Sequence, residues 1–211
     1  MLPDRMPRFL AAAIVSLPLV VGFSAAAMAE DAGAAPLRLR GTVTEFADQA
    51  LTVKTREGET VHVALTPDWK ISGVARADMA DIKPGDFVGI ASLPKANGGD
   101  GALEVVIFPP AMKGTGEGSR PWDLKPNSTM TNATVADAVK SVDGRTLTVS
   151  YHGQEKKIDI PEGAPVVTFA SATKADLKPG AAVFVMAQKT ADGAVTAQRV
   201  VVGTNGVAPP M

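Results

Sequence analysis

The side chains able to hold a soft metal are few. They are His62, His152 and, beyond residue 29 and short of the chain end, Met79, Met112, Met130 and Met186. Thioether and imidazole donors together select Cu(I). Met112 and Met130 flank Trp122 in one Pro- and Gly-rich stretch, with His152 downstream. His152, Met130, Met112 and Trp122 are therefore the metal candidates, if a metal is bound at all. No His-x-His, Met-x-Met or His-x₃-His spacing reinforces them. Each also has a plainer role. His62 falls on the polar face of a strand, His152 in a hairpin turn, and Met186 in an apolar strand, where a methionine fills core space. The expectation is no metal site and no cofactor.

Other chemistries fare no better. Gly114-Thr115-Gly116-Glu117-Gly118 lacks the Lys-Ser/Thr ending of a phosphate loop and carries an acid at its centre. Gly118-Ser119 is not a Gly-x-Ser-x-Gly elbow. Asp81 and Asp176 stand at equivalent places of a repeat, which points to a structural job before a turn. Asp48, Asp100, Asp143 and Asp192 read as turn residues. No catalytic set emerges, and the chain is expected not to be an enzyme.

The elements that position these residues come in two copies. Leu51-Thr52-Val53 precedes Asp81-Ile82-Lys83-Pro84-Gly85, and Leu147-Thr148-Val149 precedes Asp176-Leu177-Lys178-Pro179-Gly180. Each copy opens on Thr-Val (Thr42-Val43, Thr134-Val135) and closes on Asp-Gly-Ala (Asp100 to Ala102, Asp192 to Ala194). Leu51, Val53 and Thr55, then Val61, Val63 and Leu65, alternate with polar partners around Glu57-Gly58-Glu59, the pattern of a hairpin with one buried face. Leu147, Val149, Ile158 and Ile160 repeat it around His152-Gly153. In Lys83-Pro84-Gly85 and Lys178-Pro179-Gly180, Pro sets φ near −65° and Gly accepts positive φ, as a type II turn demands. Val74 to Asp81 and Ala172 to Asp176 read as a helical turn or a loop. Short strands with turn signals every 8–12 residues predict an all-β chain of two tandem OB-like β-barrels, at 37–108 and 133–203, with SH3-like barrels as the alternative. Residues 109–132 read as a Pro/Gly-rich linker in which Trp122 packs between the barrels or caps one of them. Residues 204–211 read as a flexible tail.

Residues 1–29 read as a signal peptide. Arg5 and Arg8 precede an uncharged apolar run from Phe9 to Val21, and Ala27-Met28-Ala29 is a small-x-small cleavage site. The expected localisation is periplasmic or secreted, with no membrane span in the mature chain. The chain has no cysteine, so neither disulfides nor thiolate chemistry operate. It carries 21 Lys and Arg against 22 Asp and Glu; residues 1–29 hold Arg5, Arg8 and Asp4, so the remainder has a net charge of −2. No basic stripe marks a nucleic-acid partner.

The order Thr-Val, Leu-Thr-Val, Asp-Leu-Lys-Pro-Gly, apolar strand, Asp-Gly and Val-rich strand resembles an uncharacterised bacterial family of exported OB-like repeats, a domain of unknown function. The resemblance covers nearly the whole mature chain, twice. The stretch from Gly114 through Pro121-Trp122-Asp123-Leu124-Lys125-Pro126 to Asn132 is similar to an element shared by two-unit members, some of which carry a metal-transport label. In strand layout each unit is also similar to the small periplasmic copper chaperones of efflux systems, which bind Cu(I) through a His, a Trp and two Met. His152 matches that His in place, whereas Ile160 to Phe169 holds neither Trp nor Met. With no catalytic set among its residues, the chain is expected to be a non-catalytic periplasmic binding or adaptor protein with a protein or small-molecule partner. The alternative is a copper chaperone or metal-transport accessory using Met and His ligands.

Overall fold

The computed structural model describes residues 35–141 and 144–209. The expected signal peptide and Asp143 lie outside the described residues. The strands are β1 (Ala35–Ala47), β2 (Ala50–Thr55), β3 (Thr60–Arg76), β4 (Phe87–Pro94), β5 (Asp100–Ile107), β6 (Gly118–Pro121), β7 (Thr129–Ser141), β8 (Gly144–Tyr151), β9 (Gln154–Pro161), β10 (Val166–Ala170), β11 (Ala182–Lys189) and β12 (Val195–Gly203). Helical structure among the described residues is confined to 3₁₀ turns at Met79–Asp81, Pro110–Met112 and Lys174–Asp176. The protein is all-β, and no helix among the described residues is long and apolar enough to cross a membrane.

Alternation of apolar residues builds a closed five-stranded barrel. β1 pairs β2, β2 pairs β3, β3 runs parallel to β12, β12 pairs β11, and β11 returns to β1. Leu51, Val53, Val63 and Val185 are fully buried inside it, and Trp69 meets Phe46 edge-on at 5.9 Å between centroids. Each buried aliphatic side chain of this kind contributes about 1.5–3 kcal/mol. A second set of strands pairs in series, β5-β4-β7-β8-β9, and its end strands meet over Asp100↔Ile158 and Gly101↔Asp159. Ion pairs of Asp100 with Lys156 and of Asp159 with Lys95 tie those ends. Ile90, Leu147, Ile158 and Ile160 fill the set. A third cluster, centred on Val74, Val106, Val167, Phe184 and Val201, lies on the outer faces where the two sets meet. β10 bridges there, antiparallel to β3 and parallel to β5.

The pairing crosses the sequence repeats. The barrel takes β1–β3 from the first repeat and β11–β12 from the second; β4 and β5 of the first repeat pair with β7 and β9 of the second. Residues 37–108 and 133–203 therefore delimit the repeats and not the strand sets that pair. The Pro-Gly turns clip the exchange together. Gly85 donates its N–H to Val135 O, and Gly180 donates to Val43 O, both at 2.8 Å. Both glycines hold positive φ, +94° and +87°, as the turn reading requires.

Several expectations change in detail. β3 runs on to Arg76, so the loop or helical turn expected from Val74 begins only after it, with the 3₁₀ turn at Met79–Asp81; a bulge absorbs Pro67, which has no N–H to give the ladder. The first Asp-Gly-Ala lies in β5 rather than in a turn; the chain reverses one step earlier, at Lys95 to Gly99. Residues 109–132 are structured. Pro110–Met112 is a 3₁₀ turn, Gly118–Pro121 forms the edge strand β6 against β7, and β7 already begins at Thr129. The tail folds back, since Thr204 donates its backbone N–H and its hydroxyl to Val74 O, both at 2.9 Å, and Val207 packs on the third cluster.

Candidate ligand pocket

The seam between the strand sets opens into a cavity of about 510 Å³. One wall is the outer face of the barrel. Cross-strand partners in register share a face, so Arg38, Met186, Arg199 and Lys70 form one row, and Arg40, Phe184, Val201 and Ser72 form the next. The opposite wall comes from β4, β5 and β7, where Val106, Gly89 and Asn132 sit side by side with Met130 beyond them. Phe108 and Phe169 close the floor, their centroids 5.4 Å apart.

The cavity exists because the two walls are unequal. Phe184 stands four residues after the Pro-Gly turn of the second repeat; the matching residue of the first is Gly89. A Cβ at Gly89 would lie 2.9 Å from Asn132 Oδ1 and 3.0 Å from the Phe108 ring. The glycine lets Asn132 and Phe108 approach β4. Asn132 in turn holds the 113–117 loop, donating from Nδ2 to Thr115 O at 3.0 Å.

Trp122 forms one edge. Its loop is locked by Ser128, whose O accepts the Trp122 N–H at 2.8 Å and whose Oγ lies 2.7 Å from Lys125 O. Three guanidiniums surround the indole: Arg38 at 4.2 Å, Arg120 at 5.7 Å and Arg40 at 5.9 Å from its centroid. Asp123 anchors two of them, accepting from Arg40 at 2.7 Å and lying 3.5 Å from Arg38. Burial pushes the Asp123 carboxyl up, but the Arg40 hydrogen bond and the charges of Arg40 and Arg38 outweigh it and hold the group below its usual value. Desolvation, then the charge of Arg38, pulls the Arg120 guanidinium down. The Trp122 indole N–H is buried, with no acceptor among the described residues.

The candidate ligands of the sequence reading divide. Met112, Met130 and Trp122 line this one cavity, joined by Met186. Met186 is 42% exposed, not core filler, because it points outward from β11 between the inward Val185 and Ala187. His152 lies elsewhere. It holds a left-handed turn (φ 47°), donates its backbone N–H to Glu117 Oε1 at 3.0 Å, and sets its ring against Gly118. His62 is exposed, with Nδ1 3.1 Å from Thr52 Oγ1. Among the described residues no group of three His, Cys, Asp or Glu converges. Asp81 and Asp176 accept the backbone N–H groups of Asp78 and Thr173, at 2.9 and 2.7 Å, the structural job expected of them.

Lys70, Arg120 and Arg199 were missed, because their convergence depends on pairing across the repeats. No acidic side chain lines the cavity, and none of the three makes an ion pair among the described residues. A neighbouring groove shares Lys70, Met186 and Arg199 but is lined by polar residues such as Thr66, Asp68 and Gln188. Comparison with family models, with curated proteins and with solved structures gives no match.

Proposed function

We propose that the chain is a non-catalytic, exported binding protein, periplasmic or secreted, whose small-molecule ligand sits in the seam cavity. The observation that carries this reading is the cavity, a concave, mostly apolar space bounded by Phe108, Phe169, Phe184 and Trp122 with a few polar groups at its edge. Small-molecule sites have this form, at about 300–1,000 Å³. The separation of the two histidines, and the capping roles of Asp81 and Asp176, support a non-catalytic role. Reading both strand sets as OB-like barrels is part of the proposal. It is supported by their shared strand order and by matching bulges at Val43/Glu45 and Val135/Asp137. The resemblance to exported OB-like repeats agrees with it.

One observation favours a second reading, a copper chaperone or metal-transport accessory: Met112, Met130, Met186 and Trp122 line the same cavity. Three cationic side chains at that cavity weigh against a metal cation there. Native mass spectrometry of the protein purified from its own host tests both readings at once. The expected spectrum shows a chain beginning at Glu30 with a bound organic mass and no copper. Copper in place of an organic ligand would favour the second reading. A chain that retains Phe9 to Val21 would overturn the signal-peptide assignment.

A further inference from the structure

We propose that the seam cavity binds an organic anion with a flat apolar body, held through Lys70, Arg120 and Arg199. This rests on the binding reading above and names the chemical class of its ligand. Two independent features of the cavity define that class.

The body is set by the floor and walls. Phe108, Phe169 and Phe184 offer ring faces and edges, and Met112, Met130 and Met186 offer adaptable thioethers that mould to an irregular apolar shape. Gly89 lets the Asn132 amide and the Phe108 ring pack against β4, which sets both at the cavity wall.

The charge is set by the rim. Arg199 on β12 stands directly across from Lys70 on β3. Like charges so placed destabilise a sheet, and no acid in the cavity lining offsets them. Arg120 adds a third cation from the other wall, on β6, and it is partly desolvated. By contrast Arg38 and Arg40, on the same barrel face, are neutralised by Asp123. The chain thus pairs its structural arginines and leaves three cations around the cavity unpaired. Arg120 also packs on the Trp122 indole and donates to Gly116 O at 2.9 Å, so it is held in place at the cavity; a metal cation or an organic cation would meet repulsion here.

A matched pair of fluorescent probes isolates the charge. 8-Anilinonaphthalene-1-sulfonate and N-phenyl-1-naphthylamine share the aromatic body, and only the first carries a sulfonate. The expected result for the full chain is one bound sulfonate probe, about tenfold tighter than the neutral probe at low salt, the scale of one charge-assisted hydrogen bond. Raised salt should narrow the gap. Lys70→Gln with Arg199→Gln should narrow it severalfold, through weaker binding of the sulfonate probe. Both residues are exposed, so folding is spared, and circular dichroism checks this. Arg120→Gln should narrow the gap independently. Equal binding of the two probes, or a preference that survives both variants, overturns the anion inference and leaves the binding reading in place. Failure of both probes to bind the folded protein overturns the binding reading as well.

Discussion

Trp122 and Asp123 gather the arginines of the seam. The indole takes three guanidiniums, each contact worth about 0.5–1 kcal/mol at exposed sites, and the carboxylate fixes two of them. Asp123 titrates below its ordinary value in the folded chain. Its contribution to stability is therefore present above the unfolded value of about 3.9 and lost as pH falls through the lower folded one. Urea midpoints measured from neutral pH down to about pH 2 should show Asp123→Asn less stable than the parent at neutrality, with the two curves converging in acid. A constant gap across that range would mean that ionisation of Asp123 does not matter. Trp122 was legible as a packing residue, because a large aromatic in a Pro/Gly stretch must be buried somewhere. Its arginine partners were not, because no local signal brings Arg40 to a loop 83 residues further on.

At the scale of elements, the two Pro-Gly turns are the fasteners of the exchange. Gly180 holds φ +87° and gives its N–H to Val43, in the other repeat. No atom lies within 4 Å of an added Cβ, so a substitution there costs through backbone strain rather than collision. Gly180→Val should destabilise by about 1–3 kcal/mol. Because the turn caps β1, hydrogen exchange should show the loss in β1 and β2. A variant as stable as the parent in urea would show that the turn relaxes at no cost. The turns and hairpins were legible because local chemistry decides them: Pro and Gly at fixed offsets, and a period of two. The full length of β3 was not, since Pro67 argues for a break and only the bulge opposite Ala197 and Arg199 accommodates it.

At the scale of the molecule, the repeat signalled two similar units, and each repeat does supply the same elements. Which copies pair is another matter. β4 and β11 are apolar strands launched by the same turn, so the sequence holds no local signal that β11 belongs beside β1. β10 lies where the two sets meet, antiparallel to β3 and parallel to β5. The cavity was illegible for the same reason, because one wall joins strands from both ends of the chain and the other comes from its middle. A truncation separates the two arrangements. A chain ending at Thr173 keeps all of 37–108, and self-contained repeats would leave that stretch folded. The observed pairing predicts instead that β1, β2 and β3 lose amide protection when β11 and β12 are removed. Full protection in the truncated chain would show that the first repeat can close on its own strands.

That truncated chain is also a stage through which every molecule passes during synthesis. Thr204 reaches back 130 positions to Val74, and β1 pairs with β11 from the far repeat. High contact order of this kind slows folding. The strands made first cannot complete their barrel until β11 and β12 have appeared, so in the nascent chain that barrel stays open while everything between β3 and β11 is made.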